Sequence, residues 1–147
     1  MHDVKGNQWI LRAVIFLTSQ TISLFGSSIV GFAIIWYITL ETSSGSLMTI
    51  SILCTFLPQI LISLFAGVWA DRYSRKKLII FSDLFISFAT LILAIFFLSG
   101  VKSLSLIFLA SIIRSIGAGV QTPAVGAILP QIVPMEKLTR VNGINSV

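Results

Sequence analysis

The chain has 147 residues, and 56% of them are hydrophobic while only 10% are charged. Ordinary globular domains carry about 25% charged residues, so this composition argues strongly against a soluble domain. The net charge of +5 does not indicate nucleic-acid binding, because the ten Lys and Arg residues lie mostly in short segments between apolar runs and form no basic stripe. The single cysteine, Cys54, excludes an internal disulfide framework and a cysteine-based metal site.

Four apolar runs in the sequence are each long enough to cross a membrane as a helix, which takes about 20 residues. They cover residues 13–40, 47–70, 78–98 and 104–129. The first run is longer than the apolar core of a signal peptide, so we expect it to be retained. A fifth helix is predicted to begin at about residue 140. Because the chain stops at Val147, we expect it to be a fragment of a longer protein.

The Lys and Arg residues between the runs predict how the chain crosses the membrane. Eight of them lie before the first run, between the second and third, and after the fourth, whereas the two remaining connections hold only Lys102. Since cytoplasmic segments of membrane proteins are enriched in Lys and Arg, the N-terminus and the segment 71–77 are predicted to be cytoplasmic. The sequence therefore predicts an all-α, multi-pass protein of the cell membrane.

The segment 67–79, Gly-Val-Trp-Ala-Asp-Arg-Tyr-Ser-Arg-Lys-Lys-Leu-Ile, places five charges between the second and third runs. It resembles the signature between helices 2 and 3 of the major facilitator superfamily, Gly-x-Leu-Ala-Asp-Arg-x-Gly-Arg-Lys with an aliphatic residue three positions later. Trp69 replaces the Leu, and Ser74 replaces the second Gly. The matching positions are Gly67, Ala70, Asp71, Arg72, Arg75, Lys76 and Ile79.

Two further segments resemble the same family. Residues 114–124, Arg-Ser-Ile-Gly-Ala-Gly-Val-Gln-Thr-Pro-Ala, resemble the fourth-helix signature, in which an intramembrane Arg precedes small residues. Residues 138–143 resemble the approach to helix 5, and the chain is most similar to the macrolide-efflux and siderophore-exporter branch. The resemblance implies the first four helices and the start of the fifth, within the N-terminal six-helix half of a twelve-helix fold.

The resemblance also implies a secondary active transporter that works by alternating access, with a proton gradient driving efflux of amphipathic small molecules such as drugs or macrolides. Its partners would be the lipid bilayer, the substrate, protons and the missing C-terminal half, with no cofactor. The sequence has no phosphate-binding loop, no Ser/His/Asp set and no metal-spaced His/Cys/Glu cluster, so it indicates no enzyme. Two alternatives stay open: a standalone four-helix membrane protein acting as an oligomer or assembly factor, and a non-functional transporter remnant.

The charged segment itself has two interpretations. In the family it forms a conformational latch that grips the opposite half, and an Asp at a helix end can accept hydrogen bonds from the free N–H groups of another helix. Alternatively, its four positive charges only hold the segment on the cytoplasmic side. The latch positions are Gly67, Asp71, Arg72, Arg75 and Lys76.

Three polar residues inside the runs are candidates for coupling or for a cavity. Arg114 lies ten residues into the fourth run, about 15 Å along a helix, where a charge costs roughly 2.5–3.5 kcal/mol. It is predicted to face a central cavity, or alternatively to bond helix-end carbonyls or a Gln; the family resemblance implies a part in proton coupling. Asp83 is predicted to pair with a base of the segment 71–77, or alternatively to carry a proton. Gln20 is predicted to line a wet cavity.

Small residues predict where helices approach one another closely. Ser23, Ser27 and Gly31 recur every four residues in the first run and predict a ridge for helix packing. Gly117 and Gly119 predict a similar close approach by the fourth run.

Overall fold

The computed structural model describes residues 3–133 and contains four long helices in that range. They are α1 (Asp3–Thr42), α2 (Gly45–Arg72), α3 (Arg75–Leu98) and α4 (Leu104–Ile132). Each of them includes a span that is long and apolar enough to cross a membrane. The predicted all-α membrane fold is thereby confirmed. The predicted start of a fifth helix at about residue 140 lies outside the described residues.

The charged segment between α2 and α3 is more helical than its composition suggested. Only Tyr73 and Ser74 leave the helical conformation, so Asp71 and Arg72 belong to the last turn of α2, and Arg75 begins α3. Hydropathy places helix ends at the first charged residues, but Arg and Lys are good helix formers and extend a helix readily. The connection between the two helices, which the apolar runs left as residues 71–77, is therefore a short turn at 73–74.

The other two connections use turn residues at the helix ends. Ser44 caps α2, and its Oγ accepts a hydrogen bond from the Leu47 N–H at 3.5 Å. Gly100, just after α3, has a φ of 84°, which a residue without a Cβ adopts without strain. Its N–H donates to the Phe97 carbonyl oxygen at 3.1 Å and closes the end of α3. These tight turns reverse the chain, so that consecutive helices run antiparallel.

α4 makes the most extensive contacts in the bundle, chiefly with α2 and α3. A Cβ added at Gly117 would lie 2.6 Å from Ile86 Cγ1 of α3, and one added at Gly119 would lie 2.8 Å from the Gln59 carbonyl oxygen of α2. Both glycines are therefore needed for the close approach of α4 to its neighbours, as their small size predicted.

The small residues of α1 behave differently from this prediction. A Cβ added at Gly26 or Gly31 would meet nothing within 4 Å in the described part of the chain. Ser23 and Ser27 face open space between α1 and α3. Within the described residues, Ser23, Ser27 and Gly31 therefore form no close-packing ridge, and the two serines line a groove between α1 and α3.

Large apolar side chains cover the outside of the four helices. Phe32, Leu64 and Phe81 keep 75%, 70% and 73% of their surface uncovered by the described residues. A soluble protein rarely exposes contiguous apolar surface on this scale, whereas lipid chains solvate it. The fold thus places apolar groups outside and brings polar side chains together between the helices.

Candidate functional site

Arg114, in the middle of α4, connects three helices. Its Nη2 donates a hydrogen bond to the Ser27 carbonyl oxygen of α1 at 3.0 Å, and its Nη1 donates to Thr90 Oγ1 of α3. A guanidinium group carries five N–H donors in a planar fork, so one side chain can bond both helices at once. The carbonyl that it bonds lies in the middle of α1, whereas the sequence had led us to consider a carbonyl at a helix end.

Two cavities meet at Arg114. The first, which we call the α1–α3 groove, has a volume of about 440 Å³, and its polar lining residues are Ser23, Ser27, Asp83, Ser87, Thr90 and Arg114. The second, which we call the α2 cavity, has a volume of about 140 Å³, and its polar lining residues include Thr55, Gln59, Ser111 and Ser115. Both are polar and large enough for water, whose share of liquid volume is about 30 Å³ per molecule. Arg114 is therefore positioned as a charge within a polar interior.

Asp83, in α3, forms a second polar cluster with residues of α1 and α4. Its Oδ1 accepts hydrogen bonds from Ser23 Oγ at 2.6 Å and from Gln121 Nε2 at 2.8 Å. Gln121 Nε2 also donates to Gln20 Oε1 at 3.4 Å. Both glutamines are buried, with 5% of Gln20 and 6% of Gln121 exposed. We call these four residues (Gln20, Ser23, Asp83 and Gln121) the Asp83 clasp, because they join three helices.

The clasp corrects the predicted pairing of Asp83 with a base of the segment 71–77, that is, with Arg72, Arg75 or Lys76. Within the described residues, the ion pair that forms joins Asp71 and Arg75, and none forms at Asp83. Asp83 lies seven residues beyond Lys76, about 10.5 Å farther along α3. Its carboxylate is turned towards α1 and α4, where Ser23 and Gln121 supply the donors.

A third cavity lies on the other side of the clasp, towards the α2–α3 turn. This basic cavity has a volume of about 460 Å³ and is lined by Arg12, Gln20, Lys76 and Asp83. Gln20 thus lies at the wall of a cavity that also carries two cationic side chains. Asp83 lines both the basic cavity and the α1–α3 groove, so the clasp forms the wall between them.

The polar residues of α3 and α4 are placed at matched spacings. Asp83 and Thr90 are seven residues apart on α3, as are Arg114 and Gln121 on α4. Seven residues make nearly two helical turns, so each pair lies on one face, about 10.5 Å apart. Sequence reasoning missed Thr90, because a Thr in an apolar helix commonly bonds only its own backbone, as Thr90 also does through the Ile86 carbonyl. The shared spacing of seven could have revealed it.

Arg75 is the latch position that the structure ties into the bundle. Its Nη1 donates to the Ala127 carbonyl oxygen of α4 at 2.5 Å, and its Nε donates to the Ala70 carbonyl oxygen at 3.2 Å. Its Nη2 lies 3.6 Å from Asp71 Oδ1. A cation is favoured near the carbonyl end of a helix, where the dipole is negative, and Ala127 lies close to that end of α4.

The other latch positions are exposed in the described chain, although Lys76 also lines the basic cavity. The side chain of Asp71 is 77% exposed, and Arg72 and Lys76 are also exposed. A Cβ added at Gly67 would meet nothing within 4 Å in the described residues. These positions leave an open face at one end of α2, and the latch stays a prediction.

Comparison with known proteins assigns the chain to a family. Residues 16–147 match the family described as the Major Facilitator Superfamily. The chain belongs to this superfamily. It is 36% identical over 139 residues to macrolide efflux protein A of Streptococcus pyogenes, an alignment that covers 95% of this chain and 34% of that protein. The resemblance first seen in the segment 67–79 is thereby confirmed.

Two further relatives align with a shorter part of the chain. Macrolide efflux protein A of Enterococcus faecalis is 38% identical over 100 residues, covering 67% of this chain and 31% of that protein. Multidrug resistance protein 2 of Bacillus subtilis is 30% identical over 100 residues, covering 68% of this chain and 24% of that protein. No solved structure matches the chain significantly. The chain spans about a third of the length of the curated relatives that it matches most fully.

Family membership and the four apolar helices together define the class of molecule. The chain has the helices of a multi-pass membrane protein in a family of transporters, and its relatives are named as macrolide efflux and multidrug resistance proteins. The cavities around Arg114 and the Asp83 clasp form the polar interior of the four described helices.

Proposed function

We propose that this chain supplies the first four helices of a secondary active transporter that exports amphipathic small molecules, such as drugs or macrolides, in exchange for protons. The names of its relatives support efflux as the direction and macrolides or other drugs as the cargo. Further helices of the complete protein would provide the second half of the transport path. The protein would lie in the cell membrane with its N-terminus in the cytoplasm, which the distribution of Lys and Arg supports.

The single observation that carries this proposal is the environment of Arg114. A cation in the middle of a membrane span is costly and is seldom present without a role in binding or coupling. Here it lines two polar cavities while bonding α1 and α3. A charge in this place can attract an anionic group of a substrate, or it can respond to the charge of Asp83 in the same groove.

Alternating access gives the exposed latch positions a role. The two halves of such a transporter rock about a site near the middle of the membrane. Asp71, Arg72 and Lys76 would contact the second half when the cytoplasmic side closes, and their exposure in the described chain supports this. Arg75 would hold the α2–α3 turn in place by its bonds to α4.

The test is a transport measurement on the complete product of the reading frame that encodes this chain. It would be expressed in a bacterium lacking its major efflux systems, and accumulation of a radiolabelled macrolide would be followed with and without a protonophore. We expect the protein to lower macrolide accumulation and the protonophore to restore it. Arg114→Gln should lose this lowering of accumulation, whereas Thr122→Ala should retain it. Thr122 is a matched control, since it is exposed on the same helix and its hydroxyl bonds only the Ala118 carbonyl of its own helix.

Two results would contradict the proposal. Accumulation that is the same with and without the protein would argue against efflux, and efflux that a protonophore leaves unchanged would argue against proton coupling. Expression of residues 1–147 alone gives a further comparison. Under our proposal this fragment does not export the macrolide, whereas a stable oligomer with activity of its own would support the standalone four-helix alternative.

A further inference from the structure

We propose that Asp83 binds the coupling proton, and that its protonation weakens the Asp83 clasp and so loosens α1 from α3. This inference rests on the proposed proton-driven transport and names the residue that would carry the proton. The motivating observation is that Asp83 lies well inside α3, whereas Glu41 and Asp71 lie at the ends of α1 and α2, and that Asp83 lines two separate cavities.

The hydrogen bonds of the clasp depend on the charge of Asp83. Ser23 Oγ and Gln121 Nε2 both donate to one oxygen, Oδ1, at 2.6 and 2.8 Å. Hydrogen bonds to an ionised carboxylate are roughly twice as strong as those to a neutral group. A proton on the carboxyl group therefore weakens both bonds at once. The Ser23 bond is the one that joins α1 to α3 within the clasp, so its weakening loosens α1 from α3, while α4 stays packed against α3 through Gly117 and Ile86.

Protons can reach Asp83 from either side of the clasp. The α1–α3 groove contains Ser23 and Asp83, and the basic cavity contains Gln20 and Asp83. Their volumes of about 440 and 460 Å³ leave room for water on both sides. A proton that enters from one cavity and leaves to the other crosses the clasp, which is the step that coupled exchange requires.

The charged groups that face Asp83 come from three helices and are all cationic. Arg114 of α4 lines the α1–α3 groove, and Arg12 of α1 and Lys76 of α3 line the basic cavity. Among the residues described, α2 contributes no titratable side chain to either cavity. Protonation of Asp83 removes the negative charge that these cations face, so the clasp and the charge balance of both cavities change together.

The groups around Asp83 favour a proton over a metal cation. Hard cations bind where several oxygen ligands converge. Ser23 and Gln121 instead direct an O–H and an N–H at Oδ1, and so occupy that oxygen with donors. Sodium is therefore the less suitable ion, and replacing sodium by potassium in the assay buffer is expected to leave efflux unchanged.

The first test detects the proton itself and does not require transport. Infrared difference spectra of the purified complete protein in lipid would be recorded as the pH is lowered. We expect a carbonyl band of a protonated carboxyl group that is absent in Asp83→Asn, present in Asp71→Asn, and shifted in frequency in Asp83→Glu. Asp71 is the matched control because it is an exposed acid at the end of α2. If the spectrum of Asp83→Asn retained the whole band, the assignment of the proton to Asp83 would be overturned.

The second test asks whether the clasp couples the proton to transport. Gln121→Leu removes a donor but keeps the carboxyl group, so we expect the infrared band to remain while protonophore-sensitive efflux is lost. Full protonophore-sensitive efflux in Gln121→Leu would overturn the role of the clasp. If the wild-type protein exports nothing, the proposed function fails, and the infrared band alone then decides whether Asp83 binds a proton.

Discussion

Arg114 of α4 donates from Nη2 to the Ser27 carbonyl oxygen of α1 across 3.0 Å. This bond matters because the middle of α1 is otherwise loosely packed: a Cβ at Gly26 or Gly31, on either side of Ser27, would meet no described atom within 4 Å. Polar bonds from Arg114 and from the Asp83 clasp therefore hold α1 at a distance that keeps the α1–α3 groove open. A helix segment whose position depends on a few polar bonds can move when one of their charges changes.

Two substitutions of Arg114 distinguish the role of its charge from the role of its hydrogen-bond geometry. Arg114→Gln removes the charge and is expected to abolish protonophore-sensitive efflux. Arg114→Lys keeps the charge, but a single ammonium group lacks the planar fork, so we expect it to lose one of the bonds to Ser27 and Thr90. A hydrogen bond to a charged group contributes about 1.5–3 kcal/mol, so the efflux rate should fall about tenfold or more. Initial efflux rates, normalised to the amount of protein in the membrane, measure this.

The alternative for Arg114 is a purely structural role. In that case both variants would reduce the amount of folded protein to the same extent, and the efflux rate per molecule would not change. Size-exclusion profiles of detergent-solubilised protein, recorded beside the efflux assay, distinguish this outcome from the one that we expect.

The glycines of α4 give a prediction about stability. A Cβ at Gly117 would lie 2.6 Å from Ile86 Cγ1, so Gly117→Ala is expected to destabilise the protein by about 1–3 kcal/mol, the usual cost of overpacking. Ile86→Ala alone removes a buried side chain and is itself destabilising, but in its background Gly117→Ala should cost much less, since the obstacle is a side chain. Gly119→Ala meets the Gln59 backbone oxygen at 2.8 Å, so no truncation of that side chain relieves it. Thermal unfolding in detergent measures these effects.

Gly126→Ala is the matched control for this series. It lies on the same helix, and a Cβ there would meet nothing within 4 Å in the described chain. Replacing Gly by Ala in a helix usually stabilises it by up to about 1 kcal/mol, so we expect its melting temperature to be unchanged or raised. Equal melting temperatures for Gly117→Ala and Gly126→Ala would contradict the close approach of α3 and α4.

The membrane helices and the family were predictable from the sequence because both depend on local patterns. Apolar runs of about 20 residues need no tertiary information, and the segment 67–79 carries its signature in consecutive residues. Helix ends were less predictable, because charged residues such as Asp71 and Arg75 end an apolar run without ending a helix.

The partners of the intramembrane charges were not predictable in the same way. Asp83 is near the bases of the segment 71–77 in sequence, which favoured a pairing that the fold does not make. Its partners, Ser23 and Gln121, are 60 and 38 residues away along the chain. Only the arrangement of α1, α3 and α4 brings them together, and no pattern within one helix specifies which faces of three helices will meet.

Loss of the exposed ion pair at the α2–α3 turn is expected to reduce transport without reducing stability. Asp71→Asn removes a pair 3.6 Å long whose acid is 77% exposed, and such surface pairs contribute only about 0–1 kcal/mol. We therefore expect a nearly unchanged melting temperature but reduced efflux, since Asp71 is free to contact the second half of the transporter. Unchanged efflux in Asp71→Asn would argue against the latch and leave only the topological role of the segment.

Arg75→Gln, in contrast to Asp71→Asn, is expected to reduce the stability of the protein. Arg75 bonds the Ala127 carbonyl oxygen of α4 and the Ala70 carbonyl oxygen of α2, so its loss frees the turn from α4. We expect a lower melting temperature already in the fragment 1–147, measured by thermal unfolding in detergent. A melting temperature equal to that of Asp71→Asn would show that the bonds to α4 do not stabilise the turn.

Gly67 tests whether another part of the transporter covers the open face of α2. A Cβ at this position meets nothing within 4 Å in the described residues, so Gly67→Ala and Gly67→Leu should both leave the melting temperature of the fragment 1–147 unchanged or slightly raised. In the complete protein we expect a graded loss of efflux, small for Ala and large for Leu, because a bulky side chain would keep the second half from closing against α2. Efflux that is unaffected by Gly67→Leu would mean that this face contacts lipid throughout the transport cycle, since flexible lipid chains accommodate a leucine where a packed helix does not.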